Sequence, residues 1–347
     1  MKWNGYEFSK YTNEDIDEIL SLISTLWGSD ASFNRNYFTW KHRRNPFLNK
    51  DIGIVAKYAG SVVGFLGYVP AEYKIGNNKF MILQQSDTVV HPEHRGKSLF
   101  STMSKTGMQM YGGEYKFIVN YTSNYMTATG LLKLGWQPLA TLNYLRRLNF
   151  LNLIRNTLSS ANGVTLDPGR FGDIEVSDVI RSSDIFRTGI ANCYSEKKIS
   201  LNKTPDFLEW RLSNPRARYI CLYFVKGPDI DAYIVVRVKN THAHIFDYGK
   251  KQDSPGMQKL LSYLIKNAKF STISFFNSST PDELKPFLRK NHFHTFAQIE
   301  KIRHGESYDI PIIIRPTVEK YTEDDWYVGG VDVRDVNNWH ITEICFD

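Results

Sequence analysis

Two stretches of this 347-residue chain carry the same landmarks in the same order. The landmarks, first copy then second, are a predicted helix (13–27; 177–194), a tryptophan followed by a basic residue (Trp40-Lys41; Trp210-Arg211) and an Asn-Pro pair (Asn45-Pro46; Asn214-Pro215). Three strand-like runs, a helix, a buried strand and a second helix follow in each copy. A spacing of roughly 160 residues is too long for a solenoid, whose repeats have about 20 to 50 residues. The repeat therefore predicts a duplicated domain, and its mixed strands and helices predict an α/β class.

Turn-forming residues separate the two copies. A short amphipathic run at 148–158 gives way to Ser, Asn, Gly and Pro residues between 159 and 169, and these residue types favour turns. We therefore predict a first domain at 1–150, a linker at 151–174, a second domain at 175–305 and a C-terminal tail at 306–347 that packs on the domains.

Composition and charge exclude several classes of protein. Hydrophobic residues make up 42% of the chain and charged residues 23%, which is ordinary for a globular protein. The longest apolar runs fall far short of the about 20 residues that cross a bilayer, and acidic groups interrupt the first thirty residues where a signal peptide is apolar. We therefore expect a cytoplasmic protein without a membrane partner. The net charge of +7 is modest and its clusters, such as 41–44, are short enough to be solvated surface, so no nucleic-acid partner is expected.

Cysteine spacing argues against a metal or disulfide framework. Cys193, Cys221 and Cys345 are far apart and lack a CxxC pattern or a histidine-rich neighbourhood, so the sequence predicts neither a structural zinc site nor a disulfide. We interpret the three residues as small buried hydrophobes and expect no metal.

The sharpest local signal is a strand that ends in a short basic turn and runs directly into a helix. Its residues are Val89, Val90, His91, Pro92, Glu93, His94, Arg95, Gly96, Lys97, Ser98, Leu99 and Phe100. The first N–H groups of a helix have no intrahelical acceptor, and the helix dipole makes them a site for an anion. Gly96 lets a ligand approach the backbone, while Arg95 and Lys97 add positive charge. The alternative is an ordinary strand-to-helix turn capped by Ser98.

This turn resembles the pyrophosphate loop of the GNAT superfamily of acyl-CoA-dependent N-acyltransferases, whose pattern is Arg/Gln-x-x-Gly-x-Gly/Ala after a Val-x-Pro strand end. Val90-x-Pro92 and Arg95-Gly96-Lys97 match the pattern, whereas Ser98 and Phe100 stand at its two last small positions. The bulk of Phe100 must therefore turn away from the ligand. Asn124 and the ending Leu134-Gly135-Trp136 resemble the superfamily's next helix, behind which the pantetheine arm lies.

The resemblance implies two tandem GNAT-like domains, each a mixed, mostly antiparallel central sheet flanked by helices. It also implies an acyl-CoA donor, acetyl or short hydroxyacyl, bound by Val89, Val90, Arg95, Gly96, Lys97, Ser98, Leu99, Phe100 and Asn124. The second copy has a Pro255-Gly256 turn without the Arg-Gly-Lys motif. We therefore expect one acyl-CoA site and a degenerate second domain that shapes the acceptor site.

Catalysis in this superfamily uses a backbone N–H at a bulged strand end, which the resemblance places at Val89 or a neighbour. The strand position that often carries a general-base carboxylate falls near Gln85, and Asp87 lies two residues on, where a regular strand presents the same face. Asp87 is therefore the candidate base, with a structural aspartate as the alternative. Asn120 and Tyr121, at the end of the next strand, are polar candidates. Leu131 stands where the superfamily often has a tyrosine acid.

The tandem arrangement and the Trp-Lys…Asn-Pro segment resemble GNAT proteins of bacterial surface-polysaccharide pathways, which acylate nucleotide-linked amino sugars. The predicted acceptor residues are Trp40, Lys41, Arg44, Gln85, Tyr121, Trp210, Arg211 and Tyr248, with core packing as the alternative for the tryptophans. An amino sugar is less basic than lysine and needs less help from a base. Two other functions stay open: acylation of another small amine, such as an amino acid, polyamine or antibiotic, and a non-catalytic acyl-CoA-binding module. A homodimer is possible.

Overall fold

The computed structural model describes residues 1–122, 124–158, 166–190, 198–278, 280–296 and 311–346. Its strands are β1 (Lys2–Trp3), β2 (Tyr6–Lys10), β3 (Gly53–Tyr58), β4 (Ser61–Ile75), β5 (Asn78–Val90), β6 (Phe117–Asn120), β7 (Gln137–Thr141), β8 (Tyr144–Leu148), β9 (Gly169–Phe171), β10 (Ile174–Ser177), β11 (Ile199–Leu201), β12 (Arg218–Lys226), β13 (Asp229–Lys239), β14 (His242–Lys250), β15 (Thr272–Phe276), β16 (His294–Thr295), β17 (Pro311–Pro316), β18 (Tyr327–Val328), β19 (Val331–Asp332) and β20 (Trp339–His340). Its α-helices are α1 (Ile16–Trp27), α2 (Ala31–Arg43), α3 (Leu99–Tyr111), α4 (Tyr125–Leu132), α5 (Phe150–Leu158), α6 (Ser182–Ile190), α7 (Pro205–Leu212), α8 (Gly256–Asn267) and α9 (Lys285–Lys290).

The chain folds into two compact units. The first contains Met1–Ala140 and Ile310–Asp335, and the second contains Thr141–Asp309 and Val336–Phe346. This division differs from the boundaries predicted at 150 and 306, because β8 pairs with β15 of the second sheet and β17 pairs with β6 of the first. The predicted tail therefore contributes a strand to the first sheet, and its last residues, 339–346, are buried.

The first unit is built on a mixed sheet with the strand order β1-β2-β3-β4-β5-β6-β17-β7. Strands β2 to β5 are antiparallel, β5 and β6 are parallel, and β17 returns antiparallel to β6. Alternating side chains fill two cores. One face packs β3, β4 and β5 against α3 and α4 through residues such as Leu66, Leu83, Met103 and Leu131, and the other face packs Val55, Phe65 and Val89 against α1.

The second unit repeats this plan with the strand order β16-β8-β15-β14-β13-β12-β10-β9. Strands β12, β13 and β14 form an antiparallel meander, β15 lies parallel to β14, and β8 runs antiparallel to β15. Helix α8 packs its apolar face, Met257, Leu260, Leu261 and Leu264, into the core of this sheet. In both units the strand beside the parallel strand comes from a distant part of the sequence. The predicted fold class, two mixed sheets flanked by helices, is confirmed.

Among the residues that the structure describes, no helix is both long and apolar enough to cross a membrane. Cys221 and Cys345 are buried free thiols, and burial raises the pKa of the Cys221 thiol to about 11. Cys193 lies outside the described residues. Within the same described ranges, no group of three or more His, Cys, Asp or Glu side chains could hold a metal ion.

Candidate active site

The site is defined by the separation of β5 from β6. The two parallel strands pair from Ile82↔Phe117 to Gln84↔Val119, and β6 ends one residue later at Asn120. Strand β5 continues to Val90, held by β4 on its other side. Beyond the end of β6, the backbone polar groups on that edge of β5 have no partner in β6, and a ligand can pair with them.

A β-bulge lies within the segment of β5 that has left β6. Ser86 pairs with Gly67 and Val89 pairs with Phe65, so that Leu66 alone lies opposite Asp87 and Thr88. Asp87 takes a φ of 46°, which is uncommon for a residue other than glycine, although aspartate tolerates it better than most. A bulge bends the strand and re-aims the backbone beside it.

The carboxylate of Asp87 is the centre of a buried polar cluster. One oxygen, Oδ2, accepts hydrogen bonds from Lys41 Nζ at 2.8 Å, from His42 Nε2 at 2.8 Å and from Ser86 Oγ at 3.0 Å. Burial alone would raise the pKa of Asp87, but the charge of Lys41 and the hydrogen bond from His42 outweigh it and hold the pKa well below its usual range. Asp87 is therefore ionised and accepts hydrogen bonds from all three donors. Its low pKa makes it a poor proton acceptor near neutral pH.

Helix α2 delivers two polar side chains to the interior because its buried face contains them. The helix begins after Asp30, whose Oδ1 accepts the Phe33 N–H at 2.9 Å, and it buries Phe38, Lys41 and His42 together. The His42 ring packs on Phe38 with the ring centroids 4.8 Å apart. A Cβ atom at Gly67 would lie 2.6 Å from His42 Cε1, so the glycine is what admits the imidazole.

The strand-to-helix turn is open on the outside. Gly96 has a φ of +74°, and no atom lies within 4 Å of the position that a Cβ would take there. The first helical hydrogen bond of α3 joins the Thr102 N–H to the Ser98 carbonyl at 3.0 Å, so the N–H groups that precede it are those of the predicted anion site. The turn is anchored on β2, because the hydroxyl of Tyr6 lies 2.9 Å from His94 Nδ1. Arg95 is exposed and donates from Nε to the Val90 carbonyl at 3.2 Å.

The two residues that depart from the loop pattern, Ser98 and Phe100, both fit this turn. Ser98 adopts the left-handed conformation, with φ 57° and ψ 18°, which a glycine would adopt more readily. Leu99 is buried, and Phe100 packs its ring into the same core, next to Gly130 of α4. Phe100 therefore points away from the open side of the turn, as its size requires.

The polar residues near the end of β6 have different partners. Asn120 Oδ1 accepts the Thr122 N–H at 3.1 Å, and the hydroxyl of Tyr121 lies 2.7 Å from the hydroxyl of Tyr73. Asn124 caps α4 by accepting the Thr127 N–H at 2.8 Å. Gln85 is buried at the point where β5 leaves β6, and neither its Oε1 nor its Nε2 has a hydrogen-bond partner among the described residues.

Most of the predicted acceptor residues are engaged within their own units. Trp40 is buried and stacks on Tyr37 with centroids 5.4 Å apart, and Lys41 pairs with Asp87. In the second unit, buried Arg211 donates from Nε to the Ile344 carbonyl at 3.1 Å and from Nη2 to the Phe346 carbonyl. Tyr248 is buried against Phe275. Arg44 is exposed and Trp210 is half-buried.

The described geometry, an open basic turn at a helix start beside a bulged strand that continues past its parallel neighbour, agrees with what the resemblance implies for an acyl-CoA site. Residues 7–138 match the family model described as an acetyltransferase (GNAT) domain. This match lies within the first unit, and the predicted enzyme class, an acyl-CoA-dependent N-acyltransferase, is confirmed.

Solved structures show the same fold at low sequence identity. A probable N-acyltransferase from Enterococcus faecalis is 10% identical, with a TM-score of 0.63 over 90% of this chain and 72% of that chain. A GCN5-related N-acetyltransferase from Anabaena variabilis is 12% identical, with a TM-score of 0.63 over 90% and 73%. The N-myristoyltransferase of Saccharomyces cerevisiae, solved with bound myristoyl-CoA, is 13% identical, with a TM-score of 0.54 over 90% and 82%. No curated protein matches the chain.

Sequence reasoning missed His42 and Ser86. Both belong to the Asp87 cluster, but the basic run at 41–44 suggested solvated surface. The available signal was the helical spacing of Phe38, Lys41 and His42, which places the two basic residues on the same side of α2 as a core phenylalanine.

Proposed function

We propose that the first unit transfers an acyl group from acyl-CoA to the amino group of a nucleotide-linked amino sugar. The observation that most directly supports acyl transfer is the open turn at Gly96, which follows the segment of β5 that continues beyond the end of β6. Backbone N–H groups at the start of α3, with Arg95 and Lys97, would hold the pyrophosphate. The edge of β5 from Gln85 to Val90 would then pair with the amides of the pantetheine arm.

The reaction needs orientation more than proton transfer. The acceptor nitrogen bonds to the thioester carbonyl carbon, the carbon–sulfur bond breaks, and the proton lost by nitrogen balances the thiolate that leaves. Backbone N–H groups beside the bulge, at Thr88 and Val89, are our candidates for stabilising the oxyanion. Asn120, at the end of β6, is our candidate for positioning the acceptor amine.

The residues considered for proton transfer support a weakly basic acceptor. Asp87 holds three donors and has a lowered pKa, and Leu131 is a core residue where a tyrosine acid would stand. An amine beside electron-withdrawing ring oxygens has a lower pKa than the about 10.4 of lysine, so a larger fraction is neutral and ready to attack. This argument favours an amino sugar over a lysine side chain.

One observation favours a second candidate, a small amine without a diphosphate. Of the predicted acceptor residues, Trp40, Lys41, Arg211 and Tyr248 are buried in packing or hydrogen bonds, which leaves fewer cations for a nucleotide than the sequence suggests. A non-catalytic acyl-CoA-binding module is the remaining alternative. The cytoplasmic location and the homodimer stay predictions.

The first experiment measures release of CoA thiol from acetyl-CoA and a short hydroxyacyl-CoA. The acceptors are nucleotide-linked amino sugars, the same sugars without the nucleotide, polyamines and amino acids. Release that requires the nucleotide supports the amino-sugar proposal, and release with free amines alone supports the second candidate. CoA binding without release for any acceptor would leave only the binding module.

The site itself is tested by Gly96→Val with Gly227→Val as the matched control. Both glycines have positive φ and open space at the Cβ position, so the two variants carry the same backbone strain. Gly227 lies in the turn between β12 and β13 of the second unit. We expect Gly96→Val to weaken CoA binding at least about 100-fold, since it blocks close approach to the backbone, and Gly227→Val to bind as the wild type does. Equal CoA affinity in both variants would place the donor elsewhere.

A further inference from the structure

Helix α5 packs its polar side against the rest of the second unit. Asn152 Nδ2 donates to the Phe270 carbonyl at 3.2 Å, and Asn156 Nδ2 donates to the Lys269 carbonyl at 3.0 Å and to Ser271 Oγ at 2.9 Å. Residues 152 and 156 are four apart and therefore share one face of the helix. The helix is attached to the second unit through amides.

The opposite face of α5 is apolar and exposed. Its large apolar side chains, exposed by 43 to 81%, are Phe150, Leu151, Leu153, Ile154 and Leu158. Residues 150, 154 and 158 follow a spacing of four, and Leu151 lies beside them on the side opposite the two asparagines. Leu153, three residues before Asn156, lies at the edge of the stripe. A helix on a globular protein normally turns such a stripe toward the core. In α5 the apolar stripe faces outward and the polar side faces the core, so the stripe is available to a partner.

The charges of α5 and of the strand before it have one sign. No Asp or Glu occurs between Glu114 and Asp167, so α5 and the strand before it carry basic groups alone. Arg155 lies in the last turn of α5 and is exposed. Lys266 and Lys269 are exposed as well, and Lys269 is the residue whose carbonyl binds Asn156. Apolar side chains bordered by cations complement a surface that is apolar inside and anionic at its rim.

We propose that α5 docks the protein on the surface of an anionic lipid bilayer. A helix with a strong apolar face and basic borders lies in the plane of the interface, with the apolar side chains among the acyl chains and the basic groups at the headgroups. The stripe is about 13 Å long and the helix about 10 Å wide, so its face covers on the order of 150 Å², well below the about 800 Å² that each partner of a stable protein complex buries. This inference goes beyond the proposed reaction and does not depend on it. It departs from the sequence-based expectation of no membrane partner, because surface docking needs no spanning helix.

The test is co-sedimentation of the full chain with vesicles of phosphatidylcholine, with and without phosphatidylglycerol. We expect binding to the anionic vesicles that weakens as salt is added, since salt screens the basic groups. Leu151→Gln with Ile154→Gln should weaken binding more than tenfold, because two apolar side chains lose their burial. Arg155→Gln should weaken it about fivefold, as expected for about 1 kcal/mol per basic residue.

Matched controls separate this surface from general effects of substitution. Leu26→Gln and Val179→Gln each change an exposed apolar residue outside α5, and Lys290→Gln changes an exposed basic residue of α9. These variants should bind vesicles as the wild type does, and the α5 variants should keep the thermal midpoint of the wild type because the changed side chains are exposed. Equal loss in controls and α5 variants would overturn the proposal, as would no binding to anionic vesicles. Self-association of the wild type that the α5 variants abolish, without vesicle binding, would assign the stripe to a second copy instead.

Discussion

The junctions that lead into α3 and α8 occupy the same place in the two units but differ in what surrounds them. At Gly96, in the turn before α3, the position of a Cβ atom is open. At Gly256, the first residue of α8, a Cβ would lie 2.5 Å from the Cβ of Ala232 and 2.8 Å from Phe224 Cδ1. The first residue of α3, Leu99, is buried as well, so the two junctions differ in the turn before the helix, where the first unit has Arg95-Gly96-Lys97 and the second has Gln252-Asp253-Ser254. The first turn offers two basic side chains to an anion, whereas the second presents an exposed aspartate. A duplicated fold can keep its architecture while one copy loses the charges that hold a ligand.

Both units also bury an aspartate beside the bulge in the strand that leads to this junction. Asp87 binds Lys41, His42 and Ser86, while Asp247 binds Lys203 Nζ at 2.6 Å, Tyr233 Oη at 2.9 Å and Thr342 Oγ1 at 2.8 Å. The second cluster lies in the unit that lacks the Arg-Gly-Lys turn. An ion-paired aspartate at a bulge is therefore a structural device of this fold, which argues against Asp87 as a catalytic base.

The largest expected effect comes from removing the cation of either cluster. Lys41→Met should lower the free energy of unfolding by about 3–5 kcal/mol, because it leaves a buried carboxylate without its partner. Lys203→Met should cost a similar amount in the second unit, since Asp247 is fully buried. Urea denaturation measures both effects.

The double variants supply the control for this prediction. Lys41→Met with Asp87→Asn, and Lys203→Met with Asp247→Asn, remove the uncompensated charge and should recover much of the lost stability. A loss below about 1 kcal/mol in one unit alone would show that its ion pair is solvated and that the two clusters are not equivalent.

A smaller effect distinguishes the two junctions. Gly256→Val should destabilise the protein by about 1–3 kcal/mol through overpacking against Ala232 and Phe224, and CoA affinity should stay that of the wild type. Gly96→Val should reverse this pattern, with CoA affinity lost and the unfolding free energy affected mainly by backbone strain. Titration calorimetry with CoA and urea denaturation give the two readouts. Loss of CoA affinity in Gly256→Val would mean that the second junction also serves the donor.

The sequence predicts what depends on local pattern. Strand alternation and the strand–turn–helix signal at 89–100 located β5, the open turn and α3, and the repeat order predicted the second sheet. Pairings between distant segments were not predictable, because nothing in the five residues of β8 or the six of β17 specifies a partner strand more than a hundred residues away. The Asp87 cluster depends on the same kind of contact, since α2 and β5 are 45 positions apart at His42 and Asp87. The inward orientation of Asn152 and Asn156 likewise depends on carbonyl groups of a segment more than a hundred residues away.

Acid should act on the two units in different ranges of pH. Burial, with the nearby charges of Lys203 and Lys198, lowers the pKa of His340 in the second unit from 6.5 to about 3. The unfolded chain therefore binds a proton below pH 6.5 that the native state does not bind, so stability falls as the pH drops from 6.5 toward 3. Asp87 acts in the same direction but in a lower range: its lowered pKa stabilises the native state above the unfolded pKa of about 3.9, and this contribution is lost only as the pH falls below that value.

Between pH 6.5 and 4.5 the pH dependence should then report His340 and not Asp87. We expect His340→Gln to reduce the slope of unfolding free energy against pH by about 1 kcal/mol per pH unit, a little under the value for one proton. Asp87→Asn should lower stability by a constant amount and leave the slope unchanged. Because each readout is a slope, a general loss of stability in either variant does not affect it. An unchanged slope in His340→Gln would mean that His340 takes up its proton in the native state, and that water or a carboxylate reaches it inside the second unit.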